Sequence, residues 1–234
     1  MRSASWLKAV FLVACGSSSS SSVSPDDFPD DHAFHNDTEE TERELRVHLG
    51  GKQIPLSEMP GVAKRIGLPV SGTADVAVAM TVPKVGEDTD YTKAVGSWAI
   101  SCTHCQAGDD KSKLDFGTHD FIGGGIDVSH LTVDRLQVNA TVADGRVELT
   151  TWQFASPDLD LDVALTVKLA PVLFDSTVDG CIRFKPSKAL EARDPKLYSL
   201  LALTGAAIGR DGRYQIKLEG PLNKVRRLAK ECGR

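Results

Sequence analysis

The sequence predicts a mainly β protein: a largely antiparallel sheet with two short helices inserted before the last strand. Three observations carry this. Leu159, Leu161, Val163, Leu165, Val167 and Leu169 alternate with Asp158, Asp160, Asp162, Ala164, Thr166 and Lys168, the two-residue period of a strand with one buried face. The same alternation recurs from Leu68 onward, broken by turn residues. Helical spacing with cap residues appears only late, after Pro186.

Taken in order, Arg46-Val47-His48-Leu49 forms a first short strand, and Val62 to Ile66 a helical turn after Pro60-Gly61. Val76, Val78, Met80 and Val82 share one face of a long strand that Pro83 ends. Gly96, Trp98 and Ile100 mark the next, which runs into Cys102 and then a loop. Leu131 and Val133 fall out of phase with Leu136, Val138, Ala140 and Val142, which predicts a bulge at Asp134-Arg135. Asp144-Gly145 is a hairpin signal, because both central residues of a type I′ turn need positive φ; Val147, Leu149 and Thr151 return from it. After 158–169 comes a strand with Val178, Gly180, Ile182 and Phe184. Ser187 caps a short helix over 188–193. Asp194 caps a second, with Pro195 at its first position, Leu197, Leu200 and Leu201 on its buried stripe and Gly205 at its end. Tyr214, Ile216 and Leu218 form the last strand, and Asn223 caps a basic terminal helix over 224–230.

The chain has 234 residues with 32 acidic and 27 basic side chains. Nine of the acids lie between Asp26 and Glu44, against the single base Arg43. From Leu45 onward 24 bases face 23 acids, so there is neither a basic excess for nucleic acid nor an acidic excess for cations. Composition divides the chain into a signal or lipobox-like segment (1–15), a disordered Ser-rich and acidic tether (16–44), and a single β-rich domain (45–234). Arg2 and Lys8 precede the apolar run 9–14, as in an export signal. Leu12-Val13-Ala14-Cys15-Gly16 matches a lipobox in which Cys15 is the candidate lipidation site. The alternative is an ordinary cleavage site with Cys15 merely small.

Cys102, Cys105, Cys181 and Cys232 are an even set, so two disulfides are the expected framework in an oxidising compartment, and Cys102 with Cys105 is the local pair. Unpaired thiols, a structural zinc site and redox catalysis are the other readings of this CxxC. Zinc would need a second close ligand pair, and a redox thiolate a helix N-terminus. His32 and His35 sit in the acidic tether; His104, His119 and His130 lack metal-ligand spacing. Asp115-Phe116-Gly117 has no kinase context, and Gly123-Gly124-Gly125 has no following helix to cradle phosphate. Asp158, Asp160 and Asp162 make a carboxylate row that reads as a solvated face guarding against edge pairing rather than as a calcium site. No catalytic, cofactor or metal residue is assigned.

Arg183-Phe184-Lys185-Pro186-Ser187, then Leu197-Tyr198-Ser199-Leu200-Leu201, Gly209-Arg210-Asp211-Gly212-Arg213-Tyr214 and Leu218-Glu219-Gly220-Pro221-Leu222, resemble in order the C-terminal signature of type II secretion system protein N (GspN). Gly67 to Gly72 and Gly96 to Cys102 sit where that family has similar segments, and the resemblance spans about residues 50 to 223. It implies a curved sheet, shaped as an open half-barrel or groove, and a non-catalytic accessory part of the secretion machine, periplasmic and membrane-anchored, with the secretin or inner-membrane platform proteins as partners. The lipobox-like start departs from the family, whose members begin with an inner-membrane helix. The alternative function is a periplasmic lipoprotein that holds a lipid or other hydrophobic ligand on the concave sheet face.

Overall fold

The computed structural model describes residues 23–59, 62, 68–109, 111–114, 126–127, 129–202 and 206–232. Its strands are β1 (His35–Glu40), β2 (Glu44–Pro55), β3 (Val70–Val85), β4 (Asp88–Thr89), β5 (Val95–Ala107), β6 (Lys113–Leu114), β7 (Ile126–Asp127), β8 (Leu131–Ala143), β9 (Arg146–Ala155), β10 (Leu159–Lys168) and β11 (Thr177–Pro186). Two helices follow, α1 (Lys188–Arg193) and α2 (Pro195–Ala202), then β12 (Ala207–Ile208), β13 (Tyr214–Pro221) and β14 (Arg226–Leu228). The main sheet is an antiparallel meander in the order β1-β2-β3-β5-β8-β9-β10-β11-β13-β12, with β14 also on β13 and β4 on β3; β6 and β7 pair separately. The sheet is mainly β and open, with the two helices ahead of the last strands, as the alternation predicted.

Its curvature follows from the core. Val47 and Leu49 of β2 and Val76, Val78, Met80 and Val82 of β3 share one cluster with Val167 of β10, Val178 of β11 and Leu173 between those two strands. Strands far apart in the order meet there because the inner face is apolar on both sides and the sheet curls to remove it from water. A second, smaller cluster caps the opposite end, where Leu190 and Leu197 of the helices pack on Leu68 and Leu131. Ser187 caps α1 by accepting from the Leu190 N–H, and Asp194 accepts from the Leu197 N–H at 2.9 Å, so both helix starts match the sequence signals. At the hairpin, Asp144 and Gly145 have φ of 50° and 69°, as the type I′ turn requires.

Several expectations fail, each for a local reason. Residues 23–44 are not a disordered tether. Val23 and Phe28 pack on the outer face over Ala77, Ala79 and Ala99, and β1 makes a six-residue ladder with β2. The acidic composition hid two apolar anchors, and Gly50 makes room for one: a Cβ there would lie 2.8 Å from the Phe28 ring and 2.1 Å from the Val76 carbonyl oxygen. The basic terminal helix is absent from the described residues; 222–224 form a 3₁₀ turn and Arg226–Leu228 a strand on β13. Cys102-Thr103-His104-Cys105 lies inside β5 rather than in a loop. The predicted bulge at Asp134-Arg135 is not one, since β5 and β8 keep their register past it. A register shift falls one strand over, between β3 and β5 at Gly72, where His104 takes a left-handed φ of 54°, and β8 has its own against β9 at Asn139-Ala140. Gly205 and most of the turn at 62–66 lie outside the described residues.

Candidate functional site

The sequence candidates among the described residues each have a definite place. The structure joins Cys102 to Cys105 and Cys181 to Cys232, with Cα separations of 6.2 and 5.9 Å, inside the usual disulfide range. The first pair points into the main core and the exposed His104 bulges out between them. Neither half of that pair sits at a helix N-terminus, so no dipole is available to favour a thiolate. Cys232 also donates its N–H to the Gln215 side chain at 2.8 Å, which seats the C-terminal segment on the outer face of β13. Among the described residues no group of three His, Cys, Asp or Glu could hold a metal ion. Cys15, His119, the Asp115-Phe116-Gly117 tripeptide and the triple glycine 123–125 lie outside the described residues.

The carboxylate row proves to be two different things. Asp160 and Asp162 are on the outer face of β10, paired with Arg213 at 2.8 Å and Arg183 at 3.2 Å, and Asp179 pairs with Lys217 in the same ladder. They are ion-paired with basic residues of β11 and of the segment leading into β13, so the row is a paired outer face and not a set of bare carboxylates. Asp158 is fully buried. It precedes the first residue of β10, so the two-residue period does not place it on the wet face.

Asp158 centres a polar latch. Its Oδ1 accepts from Arg193 at 2.7 Å and its Oδ2 from the Thr132 N–H at 2.8 Å. Arg193 donates also to the His130 carbonyl at 2.9 Å, and Asp194 accepts from the Ser129 N–H at 2.8 Å. Burial pushes the Asp158 carboxyl up, but the Arg193 guanidinium and the Thr132 N–H outweigh it and hold it below the ordinary carboxylate value. At Asp194 burial is likewise outweighed, by the Leu197 and Ser129 N–H groups. A general acid at neutral pH needs the opposite shift. Every carboxylate oxygen of Asp158 is engaged by protein, which suits fastening α1 and α2 to the ends of β8 and β10.

The inner face offers the other candidate. Near the latch its apolar side chains are only half-buried: Trp152 and Phe154 of β9, Leu161 and Val163 of β10, Ile182 of β11 and Ile216 of β13. Val163, Ile182 and Ile216 stand in one cross-strand row, and Trp152 stacks with Phe154 at 6.4 Å. β9 and β10 pair only from Arg146 to Glu148 against Thr166 to Lys168. Between that ladder and the turn at Ser156-Pro157-Asp158 the two strands run as an open seam, spanned by the Trp152 indole N–H donating to the Leu161 carbonyl at 3.1 Å. The sequence showed the apolar rows but not the seam, since ladder pairing leaves no trace in periodicity. Among the described residues no helix is long and apolar enough to cross a membrane. No protein-family profile, no curated protein and no solved structure matches the chain.

Proposed function

We propose that the chain is a non-catalytic accessory component of the type II secretion apparatus, acting at the cell envelope by docking through its sheet. The observation that carries the reading is the block that resembles the family signature. Within Arg183 to Leu222 the described residues form the end of β11, the capped pair α1 and α2, and then β13 back alongside β11 in an eight-residue register. Several of the signature residues have a mechanical duty there. Phe184 stacks on Tyr214 at 5.4 Å across the two strands, Ser187 caps α1, and Leu197 fills the helical cluster. The engaged carboxylates of the latch support a role in binding rather than chemistry. Affinity capture of the full chain from gently solubilised envelopes should recover secretin or inner-membrane platform proteins; capture of neither overturns the reading.

A second reading is favoured by the half-buried inner row of Leu161, Val163, Ile182 and Ile216. Leaving such a row in water costs roughly 25 cal/mol per Å² of apolar surface, and an acyl chain laid along the groove would recover it. Native mass spectrometry of the purified full chain distinguishes this reading, which expects a co-purifying lipid released by Leu161→Asp.

A further inference from the structure

The outer face of the sheet carries a recess unrelated to the inner groove. Val23 to Pro25 overhang β5 and β8 there, and the space beneath measures about 340 Å³, within the usual size of small-molecule sites. Its floor is formed by β5 and β8, beside the small residues Ala77, Ala79 and Ala99 on which Val23 and Phe28 rest.

The lining is distinctive for its chemistry. On β10, β11 and β13 the outer face is a ladder of ion pairs. In the recess the polar side chains are all uncharged: Ser97 and Ser101 of β5, Gln137, Asn139 and Thr141 of β8, and Thr150 at the β9 bulge. Their hydrogen bonds leave directed valences. The Ser97 hydroxyl oxygen accepts from the Val23 N–H at 2.9 Å, so its proton is free to point outward. The Ser101 hydroxyl donates to Asp75 at 3.1 Å, so its lone pairs remain. Gln137 accepts from Arg135 through its oxygen at 3.1 Å and keeps its amide donors. Asp75 is held on its other oxygen by the Gln53 N–H at 2.8 Å.

We propose that this recess is a binding site for a neutral saccharide ring. Closely spaced hydroxyls need alternating donors and acceptors without net charge, and an apolar ring face needs small aliphatic groups, which Pro25 and Ala99 supply. A phosphate or carboxylate would find no cation in the lining, and an acyl chain would strand the amides and hydroxyls without partners.

The test is ¹H–¹⁵N NMR of the full chain titrated separately with cellobiose, maltose, N,N′-diacetylchitobiose, glucose 6-phosphate and laurate. At least one neutral disaccharide should give saturable shifts at about 10 mM or below, centred on Ser97, Ser101 and the side-chain amides of Gln137 and Asn139. Asn139→Leu and, independently, Thr141→Val should each weaken that binding by about tenfold, the loss expected from one or two hydrogen bonds. Unchanged melting of both variants shows that the sheet is intact. No saturable shift with any neutral sugar, a response only to laurate or the phosphate, or unaltered binding in both variants overturns the proposal.

Discussion

Replacing Arg193 by Met should destabilise this fold out of proportion to the side chain's exposure. The guanidinium is about one-third exposed, yet it donates directly to a carboxylate with no exposure at all. Its loss leaves the Thr132 N–H as the remaining hydrogen-bond donor to the Asp158 carboxylate among the described residues. Breaking a buried pair by removing one partner costs about 3–5 kcal/mol, because the remaining charge is stranded. Replacing both, as Asp158→Leu with Arg193→Met, strands no charge, so the double variant should cost less than the sum of the singles by about 2 kcal/mol. Urea unfolding with both disulfides intact measures all of these at pH 7. The pH dependence gives a second check. In the wild type Asp158 and Asp194 are held below their ordinary values, so their contribution is present above the unfolded value, about 3.9, and is lost as pH falls through the folded one. In Arg193→Met the strongest opposing interaction is gone, so burial, now only partly offset by the Thr132 N–H, raises the Asp158 carboxyl, and stability should instead rise as pH falls from 7 towards 4. A cost under about 1 kcal/mol, strict additivity, or an unchanged pH profile would refute the reasoning.

Other consequences follow from single contacts. Reducing the Cys181–Cys232 bond, which spans 51 residues, should lower stability by up to about 4 kcal/mol on chain-entropy grounds, read as a shift of the urea midpoint with and without reductant. Phe28→Ala should free the N-terminal segment from the outer face, with a loss of about 3 kcal/mol and new proteolytic cleavage within 30–43; resistance equal to wild type would show that β1 holds without its anchor. Trp152→Phe removes the single indole bond across the seam and should cost about 1 kcal/mol, with faster amide exchange confined to 149–155 and 159–165.

The parts of the fold that were legible are those where one local rule decides. Asp144-Gly145, Ser187 and Asp194-Pro195 specify a turn and two helix starts from their own backbone needs, and the alternation in β3, β8 and β10 specifies which face is buried. What was not legible depends on residues distant in sequence. Nothing in the acidic stretch around Phe28 says that Gly50 and Ala77 will leave a niche for it. The basic run 224–230 has helical composition, but β13 still has an unpaired side there, and ladder bonds together with the Cys232 bridge outweigh propensity. Asp158 is the sharpest case. Its sequence neighbours mark it as solvent-facing, and only the arrival of Arg193, 35 residues away, makes its burial tolerable.

The geometry also decides between two ways of docking. Edge pairing needs a run of outward backbone groups, and both ends of this sheet are poorly suited to it. β1 bears Asp37, Glu39 and Glu40 along its six residues, and the far edge is divided between the two-residue β12 and the three-residue β14. Short, charged edges resist strand addition. The inner face near the seam has the reverse character, an apolar row beside strands held by one indole bond. If a partner uses the sheet, it should use that face. Leu161→Asp places a charge in the middle of the row and should abolish partner recovery from envelope extracts, while Thr38→Pro on β1 should leave it intact. Circular dichroism and urea midpoints on both variants separate lost docking from lost folding. The reverse outcome, recovery surviving Leu161→Asp and failing with Thr38→Pro, would move the docking surface to the edge and leave the seam with only its structural indole bridge.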